Sequence, residues 1–177
     1  MRKQTRPRKQ PKRPLIEVEH LSINFLTPRG TVRAVRDASF SINRGEVVGL
    51  VGESGCGKST VALALMGYLP GITDVQGTRL MDGKEIGDMS NDELRTIWGN
   101  RIAMVYQDPA TALNPTMRVG LQIAELIQHH LKVSKTDAYK RTVELFTSVK
   151  LADPENIGNR YPHELSGGQQ QRAIIAM

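Results

Sequence analysis

The sequence predicts an α/β fold, on three observations. Residues 46–51 (EVVGLV) are a short apolar run, residues 52–60 (GESGCGKST) a glycine-rich turn, and the residues up to Met66 an apolar, alanine-rich stretch. That order reads as buried strand, loop, helix. Residues 15–42 are rich in Ile, Val and Phe and alternate as extended chain does. Residues 116–149 change to helical spacing.

The elements follow in order. Residues 15–25 (LIEVEHLSINF) predict a strand and a second short extended piece, ended by a turn at Pro28-Arg29-Gly30. Thr31 to Ile42 is extended again, with Val32, Val35, Phe40 and Ile42 apolar, and Arg44-Gly45 turns the chain. Residues 75–89 predict a minor extended region with a turn at Asp82-Gly83. Ser90 and Glu93 have capping-box spacing, so a helix starts there and runs towards Trp98. Residues 101–106 (RIAMVY) are a further candidate strand, and the polar, proline-marked residues 107–115 a loop. Val119, Ile123, Leu126 and Ile127 share one helical face in 116–131. Ser134 and Asp137 repeat the cap spacing before a helix over 135–149, with Val143, Phe146 and Val149 inward. Residues 151–164 read as irregular. A helix begins at Ser166 and still runs at Met177, in the apolar run AIIAM with no stop signal, so the sequence reads as the front part of something longer.

Composition narrows the classes. The chain has 177 residues, 39% hydrophobic and 24% charged, which suits one globular domain. No run of 18 apolar residues exists to span a bilayer. Cys56 is the one cysteine, which excludes an internal disulfide or a multi-cysteine metal site and fits a reducing compartment. The net charge of +6 is misleading. Residues 2–13 hold seven Lys and Arg and no acid, leaving 17 basic against 18 acidic residues in the rest. The body is nearly neutral and does not read as a nucleic-acid-binding domain. Residues 1–14, with three prolines and almost no apolar mass, read as a basic disordered tail. Such a tail can touch anionic lipid or bind nucleic acid weakly. It lacks the apolar stretch of a secretory signal.

Gly52, Gly57, Lys58 and Ser59 carry the phosphate-loop spacing, between a predicted strand and a predicted helix. Glycines let the backbone wrap so that its N–H groups face phosphate oxygens. The following helix offers unsatisfied N-terminal donors to negative charge. The whole loop, Gly52, Glu53, Ser54, Gly55, Cys56, Gly57, Lys58, Ser59 and Thr60, is thus a candidate for nucleotide binding. Lys58 can reach the terminal phosphates, and the Ser59 hydroxyl can coordinate Mg²⁺. Cys56 has no histidine near it in sequence and is not read as a nucleophile.

Residues 165–169 (LSGGQ), continuing through Arg172, resemble the signature of ABC transporter ATPase subunits. QDPATALNP at 107–115, YPHELSGGQQQRAIIAM at 161–177 and VGESGCGKST are similar to the ATPases of oligopeptide and dipeptide importers, a group that includes nickel importers. The resemblance covers roughly residues 15–177. It implies a P-loop NTPase of the ABC ATPase type, with an antiparallel β subdomain and a helical subdomain at approximately 108–164. It implies ATP and Mg²⁺ as ligands. Ser166, Gly167, Gly168 and Gln169 would contact the γ-phosphate held by a second ABC ATPase subunit, arranged head to tail. Gln107 matches the glutamine loop, which senses Mg²⁺ and the attacking water. Phe25 matches the aromatic residue that stacks on adenine.

The resemblance further implies two transmembrane permease subunits and, indirectly, an extracytoplasmic solute-binding protein, with this subunit peripheral on the cytoplasmic face of the membrane. It places a Mg²⁺-binding aspartate, a catalytic glutamate, an aspartate loop and a switch histidine after the signature. No position here matches them, so the sequence reads as truncated before the Walker B strand. Neither Glu53 nor Glu164 is read as a substitute base, and His129 and His163 are read as surface residues. Two other readings stand beside the importer: a soluble ABC-type ATPase acting on nucleic acid or ribosomes, and a non-catalytic nucleotide-binding remnant. The cargo is not legible.

Overall fold

The computed structural model describes residues 13–106 and 112–177. Most of the basic tail (residues 1–12) and the start of the predicted 107–115 loop, including Gln107, lie outside the described residues. The chain divides into two compact units, the first ending at Ala103 and the second running from Met104 to Met177.

The first unit is an antiparallel sheet with helices packed on it. Strands β1 (Ile16–Thr27), β2 (Gly30–Ile42), β3 (Thr73–Met81) and β4 (Lys84–Glu85) take the order β2-β1-β3-β4. β1 is central, pairing with β2 from Ile16↔Ile42 to Thr27↔Gly30 and with β3 from Ile16↔Met81 to Phe25↔Thr73. Val18, Leu21 and Ile23 of β1 are almost fully buried. Helix α1 (Lys58–Leu65) sets Val61 and Ala64 into that core, and helix α2 (Asn91–Ile97) adds Leu94 and Ile97. The predicted capping box is present: Ser90 Oγ accepts from Glu93 N at 3.3 Å, and Glu93 Oε2 from Ser90 N at 2.9 Å.

Two side chains hold the far end of α1. Helix C-termini leave carbonyls without partners. Here Arg79 Nη1 donates to Ala64 O at 3.1 Å and Trp98 Nε1 to Met66 O at 2.7 Å. Arg79 is buried, and desolvation lowers its pKa from the ordinary arginine value, with Glu85 opposing that shift. The sheet therefore fixes the helix that follows the glycine-rich loop.

β1 and β2 are irregular where they cross His20 and Asp37. Both residues have left-handed backbone, with φ of 51° and 47°. Two hydroxyls replace lost ladder bonds: Ser39 Oγ accepts from His20 N at 2.8 Å and Ser22 Oγ from Asp37 N at 3.0 Å. His20 Nδ1 lies 2.7 Å from Asp37 Oδ1, and this hydrogen bond, then the charge of Asp37, raises the histidine pKa above 6.5. A raised pKa means the charged pair supports the fold fully below pH 6.5 and loses that support as pH rises through the folded value. In an NMR titration His20 is expected to show a midpoint above 6.5, returning to the ordinary value in Asp37→Asn. An unchanged midpoint would show that the pair does not form.

Two predicted strands are absent. Residues 46–51 lie in no strand, and Val47 and Val51 are 97% and 93% exposed. In 101–106 only Ile102 pairs, in an isolated parallel bridge with Trp98, while Val105 and Tyr106 are exposed. A buried parallel strand exists only where neighbouring chain supplies its ladder bonds. Apart from that single bridge, no segment among the described residues pairs with either run.

The second unit is helical: α3 (Val119–Leu131), α4 (Lys135–Ser148), α5 (Pro154–Gly158) and α6 (Gly167–Ala176). Phe146, fully buried, is packed in one core with Val119, Ile123, Ile157 and Ala173. Ser134 caps α4 as predicted, accepting from Asp137 N at 3.1 Å. Residues 151–164, expected to be irregular, contain α5 and a 3-10 turn at Pro162–Glu164. Pro154 at the first position of α5 and Pro162 at the first position of the turn supply the fixed φ that starts each. No helix among the described residues is long and apolar enough to cross a membrane.

Candidate phosphate-binding site

The loop at 52–57 closes on itself before α1 begins. Cys56 N donates to Glu53 O at 3.3 Å, making a tight turn. Gly57 caps α1 with φ of 94° and stands so close to β2 that a Cβ there would lie 2.3 Å from Ala34 O. Only glycine meets both demands. The Lys58 ammonium folds back over the loop and donates to Gly52 O at 2.8 Å and Glu53 O at 2.6 Å. Cys56 Sγ is 3.6 Å from the same nitrogen, and the thiol is exposed. Loop, lysine and helix start thus form one cradle whose backbone N–H groups and positive charge suit phosphate.

The cradle borders an open cavity of about 430 Å³. Its walls include Gly55, Cys56, Gly57 and Lys58 from the loop, Leu50 and Val51 before it, and Arg33 and Arg36 from β2. Among the described residues no carboxylate lines it. Ser59 is exposed on the first turn of α1, and Thr60 follows it half-buried. Phe25 lies elsewhere: it sits in β1 opposite Val32 and Thr73, half-buried against the sheet core, and is not a wall of this cavity.

Mg²⁺ in nucleotide sites keeps several waters and binds one or two protein oxygens plus phosphates. The exposed Ser59 hydroxyl beside the cradle fits that donor set. Among the described residues there is no cluster of three His, Cys, Asp or Glu for a metal held by protein alone.

The second predicted site lies in the helical unit. Ser166 caps α6: its Oγ accepts from Gln169 N at 3.3 Å, and Gln169 Oε1 accepts from Ser166 N at 2.9 Å. Gly167 and Gly168 form the exposed first turn, and a Cβ at either would meet nothing within 4 Å. Their backbone is open to close approach. Gln170 Nε2 donates to Pro162 O at 2.7 Å, and Arg172 Nη1 to Lys150 O at 2.7 Å, fixing the start of α6 in its unit. His129 and His163 are exposed.

Sequence reading missed Arg33 and Arg36. Exposed arginines on a strand carry no motif, and the spacing that matters depends on strand pairing.

The chain is 43% identical over 164 residues to the oligopeptide transport ATP-binding protein OppD of Haemophilus influenzae, covering 93% of this chain and 51% of that one. It is 44% identical to OppD of Salmonella typhimurium, covering 95% and 50%. It is 44% identical to the dipeptide transport ATP-binding protein DppD of Lactococcus lactis, covering 92% and 47%. The chain spans about half the length of these curated relatives. Among solved structures, the dimeric ATP-binding cassette MJ0796 bound to ADP and Pi matches with a TM-score of 0.75 at 24% identity, over 91% of this chain and 67% of that one. That likeness concerns the fold. The family model described as ABC transporter matches residues 35–177, so the chain belongs to the ABC transporter family and has the ABC ATPase fold.

Proposed function

We propose that this chain is the ATP-binding part of an ABC importer subunit that takes up peptides or a related small solute. The observation that carries the reading is the cradle: a closed glycine loop with Lys58 folded over it at the start of a helix fixed by the sheet. In this reading residues 15–177 belong to the nucleotide-binding domain, with approximately 108–164 as its helical subdomain. Gly52 to Thr60 hold the ATP phosphates, Phe25 stacks on adenine, and Ser59 with Gln107 hold Mg²⁺. Bound Mg²⁺ neutralises charge on the phosphates. Ser166, Gly167, Gly168 and Gln169 close on the nucleotide of a second subunit, through backbone left open by the two glycines.

Hydrolysis needs a group to orient or deprotonate water. Among the described residues the cavity walls contain no carboxylate. The purified 177-residue chain is therefore expected to bind MgATP with weak or absent turnover.

The relatives' names as transport ATP-binding proteins support a membrane-transport setting for this reading. Two transmembrane permease subunits take up the closing motion, a solute-binding protein delivers cargo to them, and the subunit sits peripherally on the cytoplasmic face. The test is affinity purification of the tagged chain from solubilised membranes of its own cells. Two hydrophobic permeases are expected with it. Recovery with ribosomes or nucleic acid and no permease would overturn the transport role.

Cys56 supplies a check on the loop. Its exposed thiol lies against Gly52, where a Cβ would stand 2.5 Å from Sγ. A maleimide adduct would fill the cradle. Labelling is expected to slow in saturating MgATP and to abolish binding when complete, as read by labelling rate and a fluorescent-nucleotide titration.

A further inference from the structure

Arg33 and Arg36 wall the same cavity as Lys58. Side chains three apart on a regular strand point to opposite faces. β2 is not regular. Between the pairs Asn24↔Arg33 and Ile23↔Val35, and again between Ile23↔Val35 and Leu21↔Ala38, β2 spends one more residue than β1. Each extra residue is a bulge, and bulges re-aim side chains. The second holds Arg36 beside Asp37, whose left-handed backbone marks the kink.

The charge of these arginines is uncompensated. Among the described residues neither makes a salt bridge, and no acid lines the cavity. The acid next in sequence, Asp37, is engaged by His20 at 2.7 Å. Three cationic residues therefore line one open cavity, together with Ala34 and Val35 between the two arginines. Guanidinium groups suit phosphate because their fork can donate two bonds at once.

We propose that Arg33 and Arg36 form a second cationic wall of the nucleotide cavity and bind the phosphates together with Lys58. The proposal rests on the nucleotide-binding reading above. It makes β2 part of the phosphate site, and its bulges the device that puts it there.

The test titrates the full chain, as wild type, Arg33→Gln/Arg36→Gln and Arg29→Gln, with MgATP and with AMP at low and high salt. Arg29, in the β1–β2 turn, is outside the cavity walls and controls for loss of charge alone. Removing charged hydrogen bonds is expected to weaken MgATP binding by about tenfold in the double variant. The loss should be smaller for AMP, and the salt dependence should flatten. Arg29→Gln should change affinity by less than about twofold, as surface charges do. Arg33→Lys/Arg36→Lys, which keeps the charge without the fork, should recover part of the loss. Double-variant affinity within twofold of wild type, or an equal loss in Arg29→Gln, would overturn the proposal while leaving nucleotide binding intact. A folded wild type that binds no nucleotide would overturn both.

Discussion

Lys58→Ala is expected to weaken MgATP binding by at least about 100-fold, since each charged hydrogen bond it would make to phosphate is worth about 1.5–3 kcal/mol. The same change should barely alter stability. The two carbonyls that Lys58 bonds, on Gly52 and Glu53, belong to exposed residues and can turn to water instead. The variant should melt close to wild type while losing the nucleotide. Retained affinity in a folded Lys58→Ala protein would mean that the cradle does not hold phosphate.

Gly77→Ala is expected to be the most destabilising small substitution in the sheet. Gly77 has φ of +88°, and a Cβ there would lie 2.4 Å from His20 O and 2.5 Å from Glu19 O. Those carbonyls are backbone atoms of the central strand β1, which is paired with β2 and β3 on either side of this irregularity, so relief of the clash has to move backbone and not a side chain. Strain at the left-handed backbone and the clash together should cost about 3 kcal/mol or more. Gly30→Ala separates the two effects. Gly30 also has positive φ, +121°, but nothing lies within 4 Å of a Cβ there. It should cost only the backbone strain, about 1–2 kcal/mol. Urea melts of both variants measure the difference. Equal losses would mean that the close approach under β1 is not present.

Local chemistry was legible before the structure. The Ser90 and Ser134 caps, the hairpin turns, the start of the signature helix at Ser166 and the phosphate loop each depend on a few neighbouring residues. Such signals need no knowledge of the rest of the chain. The helix α5 was missed because it is only five residues long, and the other failures are matters of pairing. EVVGLV reads as a buried strand because its residues are apolar, but a strand is a relation between two segments, and no described segment pairs with it. The bulges that bring Arg33 and Arg36 to the cavity come from the mismatch between β1 and β2, which neither strand carries alone. Arg79 is similar: its burial beneath the carbonyl of Ala64 is set by a helix fifteen residues earlier in the chain.

In this reading the chain holds a nucleotide through its glycine loop. The most direct measurement is a calorimetric titration of the purified chain with MgATP, alongside phosphate release from the same sample and the same titration of Lys58→Ala. Saturable binding that Lys58→Ala removes is expected, with little or no phosphate released. Absence of saturable binding by a folded wild-type chain would contradict this reading.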